Sequence, residues 1–314
     1  MNITILGCGV YGTALSTMFK ENKCKIKMWD KYDNNFPQLK KENNDIIYTT
    51  NMKESLINSN LIVIAIPIPF LEETSKELKK YYQNQNILIA SKGIAQNSLF
   101  AHEIIGQYIQ TKNIGVISGG TFAIDMKNKN IMGLTLGTKS ELLKKQIKSS
   151  LENKYLKIQY TNDLIGTEIC GSLKNVMAIA YGILDGANYP ESTRFLFLTE
   201  AIYEINNLIT HLDGNSKTIM SYAGIDDIAM TCTCSKSRNY TFGMLIGKNS
   251  SKEIIEEYKK NNTIEGLGTT KAIYNLCKTK KINLNICNIL YNIIYKNDKY
   301  TKLIEYLEKK ESNF

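Results

Sequence analysis

The first twenty residues constrain the fold more than any other stretch. "NITIL" (2–6) is a short β-rich run, "GCGVYG" follows without a spacer, and "TALSTMFKEN" then takes up a helical pattern. Gly7, Gly9 and Gly12 therefore stand in G-x-G-x-x-G spacing between a strand and a helix. There the first glycine permits a tight turn, the second lets backbone approach a pyrophosphate, and the third lets helix and strand pack closely. Free N–H groups at the helix start supply further donors to phosphate. Gly7, Gly9, Val10, Tyr11 and Gly12 are thus expected to line a dinucleotide. "CKIKMWD" (24–30) reads as a second strand ending in Asp30, placed where a carboxylate can bind a ribose 2′-hydroxyl. Lys31 follows directly and could instead meet a 2′-phosphate. The cofactor is NAD or NADP, and Asp30 favours NAD.

Further strands are expected in "DIIYTT", in "NLIVIAIP" up to Pro67, and in "NILIAS" (86–91), "NIGVISG" (113–119), "IMGLTLG" (131–137) and "LKIQYT" (156–161), with helical segments such as "MKESLINS" among them. That alternation predicts an α/β fold with a Rossmann-type doubly wound parallel sheet. Its ligand loops follow the strands, and "SKG" (91–93) and "SGGTFA" (118–123) are two of them. Near Asn162 the pattern changes. Asn162 or Asp163 can cap a long helix, and amphipathic segments follow near 192–212, 252–260, 269–279, 285–296 and 300–309. The expected organisation is a dinucleotide-binding domain over 1–162 and an all-α C-terminal domain over 163–314 that binds substrate and carries the catalytic groups. The cleft between two such domains is the default ligand site.

Two segments of the second half carry chemistry. "TEICGSLKNVMAIAYGILDG" (167–186) has a wide apolar face of Ile169, Leu173, Val176, Met177, Ala180 and Leu184 at helical spacing, yet it places Lys174 and Asn175 near its middle. Thr167, Gly171, Ala178 and Gly182 share a stripe with Lys174. Such small neighbours leave room for another body beside the ammonium. The plainer reading is a lysine reaching from a half-buried helix to water. "AGIDDIAMTCTCSKSRNYTFG" (223–243) gathers Asp226, Asp227, Thr231, Ser237, Arg238 and Asn239 in a short span. It reads either as a polar surface loop or as a phosphate site built on a guanidinium fork and neutral donors.

Bulk properties exclude several classes. No apolar run reaches the length of a membrane span, and the apolar start lacks the basic flank of a signal peptide, so a cytoplasmic protein without stable membrane insertion is expected. Seven cysteines without regular spacing describe no disulfide framework, and Cys232 and Cys234 lack further ligands nearby for a metal. The net charge of +9 is spread without a basic block, which argues against a nucleic-acid partner. His102 and His211 adjoin no motif and read as satisfied or surface residues, so proton chemistry falls to another side chain.

In this order, "GCGVYGTAL", "SKGI", "SGGTFA", "CGSLKNVMAIAYGILDGANY", "AGIDDIAMTCT", "SRNYTFG" and "IEG" resemble the bacterial NAD(P)-dependent glycerol-3-phosphate dehydrogenases over nearly the whole chain. The pairing of "GSLKN" with "TCT…SRN" is its most specific part. The resemblance implies reduction of dihydroxyacetone phosphate by NADH or NADPH, or the reverse, supplying glycerol 3-phosphate for phospholipid synthesis. It makes Lys174 the general acid/base with Asn175 beside it, puts Asp227 and Thr231 at the substrate, and gives Arg238 and Asn239, next to Ser237, the phosphate end. Lys92, Gly119 and Thr121 match other substrate contacts, and Lys92, Ala123, Arg238 and Glu265 match cofactor-side positions. The small stripe beside Lys174 is then clearance for a nicotinamide and a three-carbon phosphate. The partner implied is that small molecule, with a homodimer compatible. An ammonium is already the required acid for reduction, whereas oxidation needs the neutral amine and should improve with rising pH.

Some positions depart from the family pattern. Gly120 stands for a Pro, Asp226 for a Gly, Glu200 for an Arg and Asn285 for a Pro, and "YPES" (189–192) replaces a Gly-Asp-Asn-like turn. Gly120 is expected to loosen a loop at the substrate. Two other functions use the same plan: a β-hydroxyacid dehydrogenase, which would not need the "SRN" phosphate loop, and a silent dinucleotide-binding sensor.

Overall fold

β-Branched and aliphatic runs build the sheet, and their order along the chain sets its topology. In a computed structural model, which describes residues 1–310, the strands are β1 (Asn2–Leu6), β2 (Lys25–Trp29), β3 (Ile47–Thr49), β4 (Leu61–Ile64), β5 (Asn86–Ile89), β6 (Ile114–Ser118), β7 (Met132–Gly137) and β8 (Leu156–Thr161). They form one sheet in the order β3-β2-β1-β4-β5-β6-β7-β8. Helices α1 (Val10–Glu21), α2 (Phe36–Glu42), α3 (Met52–Leu56), α4 (Ile68–Lys79), α5 (Ala101–Gly106), α6 (Ala123–Lys127) and α7 (Glu141–Ser150) connect them. Every strand anticipated from the sequence is present. The sheet is not wholly parallel, however: β7 runs antiparallel to β6, and β8 is parallel to β7. The link from β6 to β7 holds only the short α6, which packs beside α1.

Central β4 is buried at all four positions, as expected of a strand covered on both faces. Leu15, Met18 and Phe19 of α1 close over Ile3, Ile5 and Met28 in the same core. At the edge, β8 alternates buried and exposed residues along Leu156–Gln159. Local caps set several boundaries: Asn51 accepts the Glu54 N–H at 3.2 Å before α3, and Ser140 accepts that of Leu143 at 3.1 Å before α7.

The described chain divides into two compact units, residues 1–92 with 100–168, and 93–99 with the chain from 169 onward. The second is helical: α8 (Leu164–Gly186), which begins in the first unit, α9 (Glu191–His211), α10 (Asp227–Thr233), α11 (Arg238–Gly247), α12 (Lys252–Asn261), α13 (Glu265–Lys280), α14 (Asn285–Lys296) and α15 (Lys302–Lys309). Of the two caps weighed for α8, Asp163 performs the role, accepting the Gly166 N–H at 2.9 Å, while Asn162 accepts Lys144 at 2.8 Å. Residues 223–243 are no surface loop. A bend at Gly224, whose Cα lies too near the Ile219 carbonyl for a side chain, leads into α10, and α11 follows after a short turn.

The small stripe on α8 needs a different explanation from ligand clearance. A Cβ on Gly182 or Gly186 would run into the Tyr240 and Met244 carbonyls of α11, and one on Gly243 or Gly247 would run into the Ile179 and Ile183 carbonyls of α8. Thr167 and Ala178 are fully buried as well. Protein fills this stripe: paired glycines on two helices bring the backbones together, and interaxial distance follows side-chain size at the contact. Elsewhere in this unit the substituted positions find partners of their own. Glu200 pairs with Lys310. Glu204 of α9 accepts the backbone N–H groups of Ile286 and Cys287 at 2.8 and 2.9 Å, capping α14 from 82 residues away. Burial raises its pKa, against N–H bonds that include one from Asn285, a donor that a proline there could not supply.

Candidate active site

In the sheet unit the glycine motif behaves as its spacing implies. Gly7 has φ of +109°, and a Cβ there would sit 2.5 Å from the Ala65 carbonyl oxygen. A Cβ on Gly12 would meet the Gly7 carbonyl, which leaves no choice but glycine where α1 leaves β1. Around Gly9 a Cβ would find no atom within 4 Å. That open cradle, at the start of a helix with no side-chain cap, suits the pyrophosphate of a dinucleotide. Val10 is exposed at the first position of α1. The Asp30 carboxylate accepts the Cys8 N–H at 2.7 Å and so holds the loop itself. Burial, helped by the Asp30 charge, pushes the Cys8 thiol up to about 12. Lys31 is paired with Glu73 at 2.7 Å on the surface.

The loops after β5 and β6 bring further groups to the same unit. Lys92 places its ammonium 4.9 Å from the centre of the Tyr11 ring, and Tyr11 Oη lies 3.5 Å from Thr121 Oγ1. Thr121 N–H donates to the Gly119 carbonyl at 2.8 Å. A Cβ on Gly119 would press on the Gly133 carbonyl at 2.5 Å. Ala123 opens α6.

In the helical unit Lys174 is 6% exposed, which rules out the reading of a lysine reaching to water. Its ammonium lies 2.5 Å from Oδ1 of Asp227, itself fully buried. Thr231, one turn further along α10, donates to the same oxygen at 3.3 Å. Taking two charges out of water costs several kcal/mol per ion, and well-packed apolar residues often serve stability better than a buried pair. Beside the pair runs a closed polar ring. Gly266 N–H donates to Asn239 Oδ1 at 2.9 Å, Asn239 Nδ2 to Asn175 Oδ1 at 2.9 Å, and Asn175 Nδ2 to Glu265 Oε2 at 3.1 Å. It joins α8 and α11 to the N-terminus of α13. The half-exposed Arg238 guanidinium lies 3.9 Å from the Glu265 carboxylate. Ser237 accepts the Tyr240 N–H at 3.3 Å and caps α11.

Two contacts escape a reading of the sequence. Ser172, two residues before Lys174, accepts the Gly93 N–H at 3.1 Å, and a lone serine inside an apolar helix gives no signal of such a bond. His102 is satisfied, as expected, but by an unforeseen partner: Glu168 bonds both its backbone N–H and its ring. Burial lowers the His102 pKa, but the Glu168 hydrogen bond and charge outweigh this and leave it raised. His211 is exposed and bonds the Asn207 carbonyl. Among the described residues no helix is long and apolar enough to cross a membrane.

Comparison with known proteins identifies the family. Residues 2–144 match the family model for the N-terminus of NAD-dependent glycerol-3-phosphate dehydrogenase, and residues 163–305 match that for its C-terminus. The chain is 30% identical to glycerol-3-phosphate dehydrogenase (NAD(P)+) of Staphylococcus haemolyticus over 94% of each chain. It is 29% identical to that of Staphylococcus epidermidis over 98% of each. The crystal structure of glycerol-3-phosphate dehydrogenase from Coxiella burnetii superposes with a TM-score of 0.91 at 25% identity, covering 98% of this chain and 99% of that one. An eight-stranded, mostly parallel sheet followed by helices, with a dinucleotide cradle and a buried lysine–aspartate pair, thus belongs to a chain of the NAD-dependent glycerol-3-phosphate dehydrogenase family.

Proposed function

We propose that the protein interconverts dihydroxyacetone phosphate and sn-glycerol 3-phosphate with NAD(H) or NADP(H), and that Lys174 is its general acid/base. The observation that carries the assignment is the Lys174–Asp227 pair, buried at 2.5 Å where an apolar contact would serve stability as well. Residues 1–162 form the nucleotide-binding domain and 163–314 the substrate domain. Gly7, Gly9, Val10, Tyr11 and Gly12 hold the pyrophosphate through their backbone, N–H groups at the start of α1 included, and Asp30, Lys31, Ala123 and Glu265 serve the rest of the nucleotide.

When bound, the reduced nicotinamide supplies a hydride to the carbonyl carbon. Lys174 gives its proton to the carbonyl oxygen and is left as the neutral amine. Asp227 fixes the ammonium in place, and Thr231 fixes Asp227. Asn175 holds the ring that orients the start of α13. Ser237, Arg238 and Asn239 take the phosphate, with Lys92, Gly119 and Thr121 on the three-carbon body, and Arg238 and Lys92 also face the nucleotide. The product serves phospholipid synthesis. The seven cysteines are all free thiols, which supports a reducing cytoplasm, and a homodimer is the assembly to test by sedimentation.

Oxidation of NADH and NADPH is to be followed with dihydroxyacetone phosphate beside simple ketoacids. Turnover confined to the phosphate supports the assignment. NADH binding without that turnover means a silent sensor, and ketoacid turnover means a hydroxyacid enzyme. The faster coenzyme fixes the preference.

A further inference from the structure

Tyr11 fills the last variable position of the glycine motif, where loop geometry asks for no aromatic ring. Nonetheless the ring is partly buried and packed against the sheet core, so its orientation is set. From there it makes two contacts that have nothing to do with the β1–α1 turn. Its face lies 4.9 Å under the Lys92 ammonium, and its hydroxyl lies 3.5 Å from that of Thr121. Tyr11 stands in the first turn of α1, which follows β1, and Lys92 and Thr121 stand in the loops after β5 and β6, so all three lie beyond the C-terminal ends of strands that pair in parallel.

We propose that Tyr11 is a positioning residue for the phosphorylated substrate, resting on the reading above of Lys92 and Thr121 as substrate contacts. A lysine is a point charge on a flexible four-carbon stem, and ordering it costs binding free energy. An aromatic face below the ammonium meets that cost before the substrate arrives. The hydroxyl contact does the same for the rotor of Thr121. Because Tyr11 sits in the first turn of α1, directly after the Gly7–Gly9 loop, loading of that loop and affinity for the three-carbon phosphate are coupled, and equally so in both directions.

The test uses Tyr11→Leu, which removes the ring, and Tyr11→Phe, which removes only the hydroxyl, each checked for unchanged thermal unfolding. Tyr11→Leu is expected to raise KM for dihydroxyacetone phosphate about tenfold, within the span of cation–π contacts. The dissociation constant for NADH, read by fluorescence, stays within about twofold because backbone groups hold the pyrophosphate. Tyr11→Phe keeps the ring and raises KM about threefold, the worth of one weak hydrogen bond. Independently of activity, the Lys92 ε-protons carry an upfield ring-current shift in the wild type and the Phe variant that the Leu variant loses. Unchanged KM in Tyr11→Leu, weakened NADH binding alone, or a missing ring-current shift in the wild type overturns the proposal. Absence of wild-type turnover with dihydroxyacetone phosphate, the shift being present, instead overturns the assignment of function on which the substrate role depends.

Discussion

Gly9 of the sheet unit and the glycines between α8 and α11 of the helical unit serve opposite ends. In the β1–α1 loop Gly9 keeps a volume empty so that a ligand can reach the backbone, whereas Gly182, Gly186, Gly243 and Gly247 remove volume so that α8 and α11 can touch. The polar chemistry divides in the same way. The sheet unit presents backbone donors around an open cradle, and the Lys31–Glu73 pair after β2 stays half-exposed. The helical unit hides one charged pair, with Asp227 fully buried and Lys174 nearly so. A dinucleotide is large and polar, and suits a pre-formed groove with adaptable surroundings. A proton transferred at one atom needs a group whose position cannot drift, and close helix packing provides it.

The sharpest test of that division is Lys174→Ala. Turnover is expected to fall about 10²- to 10⁴-fold, the range for a positioned acid, with NADH binding intact. Since Asp227 is then a lone buried charge, unfolding stability should also drop by about 3–5 kcal/mol. Adding Asp227→Asn restores stability and not turnover, and recovery of both would assign the pair to folding alone. Next in size come two alanines that separate the uses of glycine. Gly243→Ala overpacks α8 against α11 and costs about 1–3 kcal/mol in thermal unfolding. Gly9→Ala leaves the melting temperature in place and weakens NADH about tenfold, or 1.4 kcal/mol. Equal melting losses in the two would erase the contrast. Arg238→Ala should raise KM for dihydroxyacetone phosphate about tenfold, as expected for a hydrogen bond to a charged group, and leave kcat little changed.

The smallest effect is in the sheet unit, at His102. Its folded pKa is raised, so the stability it contributes is fully present below the unfolded value of about 6.5 and fades as pH climbs through the raised one. His102→Gln is therefore expected to lower stability by about 1 kcal/mol at pH 5.5 and by less at pH 9, read by denaturant titration. A difference that grows with pH would reverse the assignment.

Strand positions were legible because apolar runs of four to six residues bounded by Gly, Asn and Pro admit few other conformations. Direction was not legible at β7, since alternation of strands and helices does not report orientation when the intervening helix is as short as α6. Lys174 was legible as an anomaly on an apolar helix, and Asp227 became its partner only once chain folding brought residues 53 apart together. The stripe of small residues is plain in the sequence, and its occupant is not. A glycine row says that something comes close, and only the matching row on α11 says what. Segment 223–243 admits the reading of a polar surface loop because polarity in a sequence normally marks solvent, whereas Asp227, Thr231 and Asn239 turn inward to a salt bridge and a polar ring.

The capping of α14 by Glu204 bears on how the helical unit assembles. Leu284 precedes that helix and offers no side-chain acceptor, so in the folded unit the first donors of α14 are answered by a carboxylate 82 residues upstream. The helix therefore carries no side-chain cap at its own N-cap residue. Its completion is a long-range contact of high sequence separation, the kind that slows folding and makes it cooperative. A chain cut between α9 and α14 loses not a surface helix but the condition for one.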